Sequence, residues 1–377
     1  MRIAIVGAGI SGLTAAAGLQ SDGHEVLVYE RRADPSAIGA GLTLFKNTFT
    51  AFDALGFGDA VRGASGGDIA SMRAGQRLPS GSWLATVPPS AVAPLRSIHR
   101  ADLHRVLSEK LAPGTLRLAN DARVAEDGAP VVTAGQHAET FDLVVVADGI
   151  RSSNRALLGL DTGIRYAGYT AWRGVTSHAV NVRGEAGETW GQGQLFGIVP
   201  LPDGRVYWFG TLSTNAGARF ADEKQAALET FAGWHAPIAT CIDATATDAV
   251  MRHDIYDLAA PLSSFTRGHT VLMGDAAHAM TPNLGQGAGQ GIEDAATLVV
   301  LLRGASTSSL PHVLARYNAL RMKRTQMIWR RSRMVGRIAQ ASHPVAASLR
   351  NTAVRVTPGA VLAAASRQLQ AWELPQG

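Results

Sequence analysis

Met1-Arg2-Ile3-Ala4-Ile5-Val6-Gly7-Ala8-Gly9-Ile10-Ser11-Gly12 opens the chain, and the stretch from here to Glu30 decides the fold. Ile3 to Val6 is a short apolar run that predicts a buried strand. Ile10 to Ser21 predicts a helix, and Glu25 to Tyr29 a second strand. Asp22-Gly23 supplies the turn between helix and strand. A strand, a helix and a strand in parallel form a βαβ unit, whose crossover is right-handed. Gly7 to Gly12 fits G-x-G-x-x-G at the junction of strand and helix. Gly7 makes the tight turn, Gly9 lets backbone approach a pyrophosphate, and Gly12 lets helix and strand pack closely. The helix start, which includes Ser11, offers free N–H groups and partial positive charge to phosphates. Glu30 stands at the end of the second strand, where a carboxylate accepts ribose hydroxyls. Arg31 follows it, but the acid at the strand end argues against a 2′-phosphate. The pattern implies a dinucleotide and does not choose between FAD and NAD.

With 377 residues, 46% of them apolar and 17% charged, the chain has length and apolar content for two or three cored units. No uninterrupted apolar run approaches the roughly 18 residues of a membrane span. Arg2 before an apolar stretch has the look of a secretory leader. Gly7, Gly9 and Gly12 break that stretch, and no cleavage pattern follows, so a cytoplasmic protein is expected. Cys241 is the sole cysteine, which excludes an internal disulfide and a thiolate metal cluster; no metal site is expected. The net charge of +5 is carried mainly by arginine, concentrated in Arg321–Arg337. Without aromatic interleaving or a nucleic-acid motif, that stretch reads as the wet face of a helix and no nucleic-acid partner is expected.

Farther along, Thr48 to Leu55 and Arg100 to Leu111 have helical periodicity. Gly63 to Pro94 is rich in Gly, Ser and Pro and predicts an excursion from the first domain. Thr115 to Val132 predicts a small β-ribbon, and Leu143 to Ala147 a strand covered on both faces. From Gly163 to His253 short aromatic, β-branched segments and the turn Pro202-Asp203-Gly204 predict a mostly antiparallel sheet. A helix near Asp222 to Trp234 interrupts it. The α/β texture resumes at His269 to Met273 and Gly287 to Leu302. Two helical segments, 311–340 and 344–370, follow. The fold class is α/β (α+β): a Rossmann-like dinucleotide domain with an inserted, mostly antiparallel sheet domain and C-terminal helices.

Two more glycine turns bear on the ligand. Asp148-Gly149-Ile150-Arg151-Ser152 follows the strand Leu143–Ala147; its aspartate can hold a loop, and Arg151 and Ser152 supply donors. Gly274-Asp275-Ala276-Ala277-His278 follows another strand, and Pro282 with Gly285-Gln286-Gly287-Ala288 opens a helix. With these three motifs in this order, the chain resembles the FAD-dependent aromatic hydroxylases, the group of para-hydroxybenzoate and salicylate hydroxylases, over most of its length. The resemblance implies that FAD is bound by Gly7, Gly9, Ser11, Gly12, Glu30, Arg31, Gly41, Arg100, Asp148, Gly149, Asp275, Pro282, Gly285, Gly287 and Ala288. Asp275 would meet the ribityl hydroxyls. The helix start at Gly287 would face the pyrimidine side of the flavin, where the reduced ring carries negative charge. Gly39-Ala40-Gly41-Leu42 matches a segment that runs past the ring, although Lys46-Asn47 stands where the family often has Pro-Asn.

On this resemblance residues 1–65, 95–162 and 262–340 form the FAD-binding domain. Residues 66–94 and 163–261 form the substrate domain, and 341–377 a C-terminal helical segment. The implied reaction is NAD(P)H-consuming hydroxylation of an aromatic or heteroaromatic small molecule by O2, through a flavin C4a-hydroperoxide in a water-poor cavity. NAD(P)H would be a transient co-substrate, since no second G-x-G-x-x-G serves it. Epoxidation of an olefin or polyene, a flavin oxidase or dehydrogenase, and a flavin-bound sensor or carrier without turnover are the alternatives. The Trp-x-Trp-x-Ile-Pro pattern of flavin halogenases is absent. Tyr169, Trp172, Arg173, Phe196 and Trp208 are the candidates for the substrate pocket. Arg173, in an apolar strand, requires an anionic partner: a substrate, or an internal aspartate such as Asp254 or Asp257. No catalytic base is identifiable, and monomer and homodimer are equally open.

Overall fold

A computed structural model describes residues 1–35, 41–66, 71–89 and 95–375. Gly39 and Ala40, and residues 67–70 and 90–94 of the glycine-rich excursion, lie outside the described residues. The first sheet runs Thr266–Arg267, Thr270–Leu272, Leu143–Val146, Arg2–Val6, Glu25–Tyr29, Leu116–Arg117. Only the Thr266–Arg267 edge is antiparallel. Every residue of Leu143–Val146 is fully buried, as a strand with neighbours on both edges and cover on both faces requires. It pairs in register with Ile3–Val6 on one side and with Thr270–Leu272 on the other. The chain thus leaves the first strand toward Glu25–Tyr29 and later fills its opposite edge. That reversal creates a crevice at the strands' carboxyl ends, where open α/β sheets bind ligands.

The helix Ile10–Ser21 packs on Gly287–Leu302, and a Cβ on Gly18 would come within 3.0 Å of Val299. The ribbon expected over Thr115–Val132 is divided. Leu116–Arg117 joins the parallel sheet beside Val28 and Tyr29, where it pairs an edge that would otherwise be open. The ribbon itself is Ala122–Val124, Val131–Ala134 and His137–Thr140.

The second sheet runs Met251–Leu258, Ile164–Val175, Val206–Ser213, Gln194–Pro200, Glu185–Trp190, Arg73–Arg77, Trp83–Thr86. Its pairs are antiparallel except where Arg73–Arg77 lies parallel to Glu185–Trp190. Pro202-Asp203-Gly204 makes a hairpin turn: Gly204 has φ +80°, and Asp203 accepts the Arg205 N–H at 3.1 Å. Helices Glu223–Thr230 and Ile238–Asp243 contribute to the core on one face, the first capped by Asp222.

The long helix Leu310–Ala339 ends near Gln340. The second C-terminal segment is two helices, Pro344–Val356 and Gly359–Gln370. Pro358 separates them, since its ring and missing N–H stop a helix from passing through. The last helix is tied back to the first domain. Arg324 donates to the carbonyls of Leu369 and Ala371 at 2.9 and 2.8 Å, and the Lys46 N–H donates to Gln370.

Between Gly287–Leu302 and Leu310–Ala339 lies a buried ionic cluster. Arg321 donates to Glu293 at 2.7 Å and to Asp294 at 2.5 Å, and Arg324 closes on Glu293 from the other side. His278 Nε2 also meets Asp294, at 2.5 Å. Burial alone would raise Asp294, but the neighbouring His278 and Arg321 charges pull its carboxyl down to about 2. A depressed folded pKa stabilises the fold above the ordinary carboxylate range, and that stability is lost as pH falls from about 4 toward 2. Acid titration followed by circular dichroism should show unfolding in that window. Arg321→Met strands two buried carboxylates and should cost about 3–5 kcal/mol in urea denaturation at neutral pH.

Candidate active site

The three glycine turns of the sequence meet at the carboxyl end of the parallel sheet. Gly7 has φ +108°, and a Cβ there would sit 2.4 Å from the Ala147 carbonyl oxygen, beside Asp148. A Cβ on Gly12 would fall 2.0 Å from the Gly7 carbonyl oxygen, so the helix start closes directly on the turn. Ser11 fills the space that side chains at Gly274 and Gly291 would take: its Oγ is 2.5 and 1.9 Å from those ideal Cβ positions. The first and third motifs are therefore packed glycine against serine. Gly9 and Gly287 differ from these, because a Cβ on either meets no protein atom within 4 Å.

Glu30 braces the first turn. Its Oε2 accepts the Ala8 N–H and its Oε1 the Arg32 N–H, each at 2.9 Å. Arg31 is exposed beside it. Asp148 accepts from Asn154 Nδ2 at 2.9 Å through Oδ2, while its buried Oδ1 has no partner among the described residues. Burial pushes the Asp148 carboxyl up. Gly149 has φ +87°, which the turn requires. Arg151 and Ser152, expected as ligand donors, are engaged within the protein: Arg151 lies 5.4 Å over the Tyr256 ring, and Ser152 caps the helix Ser153–Leu157.

Asp275 is exposed, although Gly274 and Ala276 on either side of it are buried. Arg100 retains accessible surface yet is walled by protein, and this burial pulls its pKa down; Asp275 opposes the shift, while Arg173 and Arg32 add to it. Asp275 and Arg173 thus lie near enough to Arg100 for their charges to act on it. Pro282 starts the turn Pro282–Leu284, and Gly285 takes φ +62° with Phe45 below it. Gly287 and Ala288, half-buried, begin the helix Gly287–Leu302. Nearby, buried Asn47 Oδ1, Thr48 Oγ1 and Gln286 Nε2 have no hydrogen-bond partner among the described residues. Gly41 has a packing reason of its own: the Tyr207 ring lies 2.3 Å from its ideal Cβ position.

The inserted sheet divides the aromatic candidates by strand alternation. Trp172, Phe196 and Trp208 are buried on the helix-covered face, with Phe231 and Ile242 in one cluster. Phe196 stacks on Trp208 at 5.4 Å, and the indole N–H groups donate to Glu223 and Thr245. These three are core rather than pocket. The opposite face carries Tyr169, Arg173, Tyr207 and Phe209, and the Tyr169 hydroxyl accepts from Asn283 Nδ2 of the third motif at 2.9 Å. Arg173 has no hydrogen bond or ion pair among the described residues. Both aspartates considered for it are engaged elsewhere: Asp254 pairs with Arg252, and Asp257 with Arg333 and Arg165. Two titratable groups on this face escaped sequence reasoning. Burial pushes the Glu188 carboxyl up, and burial with the Arg173 and Arg252 charges holds His253 below its usual pKa. Only the cross-strand registers Glu188↔Gly197 and Ala171↔His253 reveal them.

A family model described as an FAD binding domain matches residues 1–332. The chain belongs to the FAD-dependent aromatic hydroxylases. Among relatives, this hydroxylase is 37% identical over 371 residues to the aurachin C monooxygenase/isomerase of Stigmatella aurantiaca, covering 94% of each chain. It is 33% identical to the 2-heptyl-3-hydroxy-4(1H)-quinolone synthase of Pseudomonas aeruginosa, covering 96% of this chain and 95% of that one. The structure of Klebsiella pneumoniae HpxO complexed with FAD and uric acid superposes with a TM-score of 0.88 at 26% identity, over 98% of this chain and 96% of that one. The hydroxylase is accordingly an FAD-dependent monooxygenase with a Rossmann-like fold.

The Ser11 contact is testable. Gly291→Ala forces its new methyl onto Ser11 Oγ and should lower stability by about 1–3 kcal/mol. Adding Ser11→Ala should recover part of that loss, giving a favourable coupling energy in a double-mutant cycle; additive losses would refute the contact.

Proposed function

We propose that this monooxygenase hydroxylates a heteroaromatic small molecule of the 4-quinolone type with O2 and NAD(P)H, and that Arg173 holds the substrate's oxygen. The observation that carries this reading is a half-buried arginine on the inner face of the sheet with no hydrogen bond or ion pair among the described residues, while Asp254 and Asp257 are held by other arginines. A half-buried cation in such a place is satisfied by an external acceptor. The relatives named for aurachin C and for a 3-hydroxy-4-quinolone support a ring of that class, with an acceptor oxygen.

The residues present fit FAD. Gly9 and Gly287 face space free of protein among the described residues, and buried polar atoms on Asp148, Asn47, Thr48 and Gln286 are unpartnered there. When bound, FAD supplies electron transfer from the nicotinamide and activation of O2. Gly7, Gly9, Ser11 and Gly12 shape the turn that receives the pyrophosphate at a helix start. Glu30 retains acceptor capacity for ribose beside its two backbone bonds, next to Arg31. Arg100, Asp148, Gly149 and Asp275 would hold the middle of the cofactor, and Pro282, Gly285, Gly287 and Ala288 would receive its ring. There the helix start provides positive potential. Gly41 acts at one remove, by seating Tyr207. Tyr169, Tyr207 and Phe209 exclude water from the reacting face. NAD(P)H approaches transiently, since the chain has one G-x-G-x-x-G.

Purified holoenzyme should consume NAD(P)H faster when a 2-alkyl-4-quinolone is added, and mass spectrometry should find that compound one oxygen heavier. Arg173→Gln should raise KM about tenfold or more, the loss of one charge-assisted hydrogen bond, with flavin content unchanged. An unaltered KM would remove Arg173 from the site. Gly9→Val separates cofactor contact from folding. Since its side chain starts in space free of protein, the apoprotein should keep its Tm while FAD affinity falls at least about tenfold.

A further inference from the structure

The outward-facing cations of the C-terminal stretch are not among the residues assigned to the monooxygenase site. Between Asp294 and Glu373 the sequence contains no Asp or Glu, although arginine recurs throughout. Several of these arginines serve the interior: Arg321 and Arg324 hold Glu293, Arg333 holds Asp257, and Arg350 donates to the carbonyls of Ala339 and Gly191. Others point outward. Lys323, Arg330, Arg337, Arg355 and Arg367 are exposed and have no ion pair among the described residues.

Aliphatic side chains stand exposed among these cations. On Leu310–Ala339, Arg330, Met334, Arg337 and Ile338 follow helical spacing along one outer stripe. On Pro344–Val356, after the short turn 340–343, Val345, Leu349 and Val356 form a second exposed stripe at helical spacing, while Ala347 and Arg350 are buried. Leu349 and Val356 are 67% and 72% exposed, well beyond the exposure of an ordinary surface aliphatic residue beside a core. No helix of the described residues is long and apolar enough to cross a membrane.

We propose that the outer faces of these two C-terminal helices form a docking surface for an anionic lipid bilayer. Charge selects that occupant. Helices carrying exposed aliphatic groups and arginine without acids lie in the headgroup boundary, where apolar burial and attraction to anionic lipid act together. A twofold contact with a second copy would set one cationic face against its equal. A nucleic acid would satisfy the arginines and leave the leucine and valines in water. The inference stands independently of the substrate assigned above.

The test is co-sedimentation of flavin-loaded enzyme with vesicles. Binding is expected to vesicles of phosphatidylcholine and phosphatidylglycerol in equal parts, to weaken steeply with salt, and to be absent with phosphatidylcholine alone. Arg337→Glu with Arg355→Glu should weaken partitioning by about fivefold or more for each residue changed. Leu349→Ser with Val356→Ser should weaken it at low salt as well, with flavin absorbance and Tm retained in both variants. Failure to bind the anionic vesicles, or equal binding by wild type and both variants, overturns the proposal. So does self-association that Leu349→Ser abolishes in a protein that ignores vesicles.

Discussion

Steric contact between backbone and backbone at Gly7 is the constraint on which the rest depends. The turn after the first strand lies so close to the Ala147 carbonyl that no side chain fits between them. That contact brings two strand ends together at the reversal point of the sheet, and Ser11 then draws in the third turn through Gly274 and Gly291. Three segments far apart in the chain become one wall. The glycines serve two different purposes there. Gly7, Gly12, Gly274 and Gly291 make room for protein, whereas Gly9 and Gly287 face space free of protein among the described residues.

The wall is held from behind by charge. Glu293 and Asp294 sit on the helix that begins at Gly287, and Arg321 fixes both from the next helix. Asn47 donates to Glu293 at 2.6 Å, so the segment following Gly41 is tied to the same cluster. Arg324 carries the link onward to the last helix. The position of the helix start is thus coupled to the C-terminal third of the chain, and a buried ion network with well-defined partners serves to fix geometry more than to add net stability.

Across the crevice, the inserted sheet presents one face to its own helices and one to the site. Aromatic content alone does not distinguish them. Trp172 and Arg173 are adjacent in sequence, yet Trp172 is buried beside Phe231 while Arg173 lies on the opposite face with Tyr169. Alternation was legible in the sequence, but which half of the alternation faced the crevice was not, because both faces of this sheet are covered. Likewise Gly41 was legible as a glycine with a reason, while the reason, the Tyr207 ring, comes from a strand distant in sequence.

Local chemistry determined much of this protein before any contact was known. Short-range periodicity and glycine spacing specified the βαβ unit, the three turns, the helix from Gly287 and the mixed architecture, because each depends on residues a few positions apart. Tertiary structure alone decided that Leu116–Arg117 joins the parallel sheet, and that Trp172, Phe196 and Trp208 are core. It also decided that Arg173 makes no ion pair among the described residues, since Asp254 and Asp257 are held by other arginines. Those outcomes rest on which distant groups compete for the same space or the same charge, and sequence spacing holds no information about a competitor that arrives from another strand.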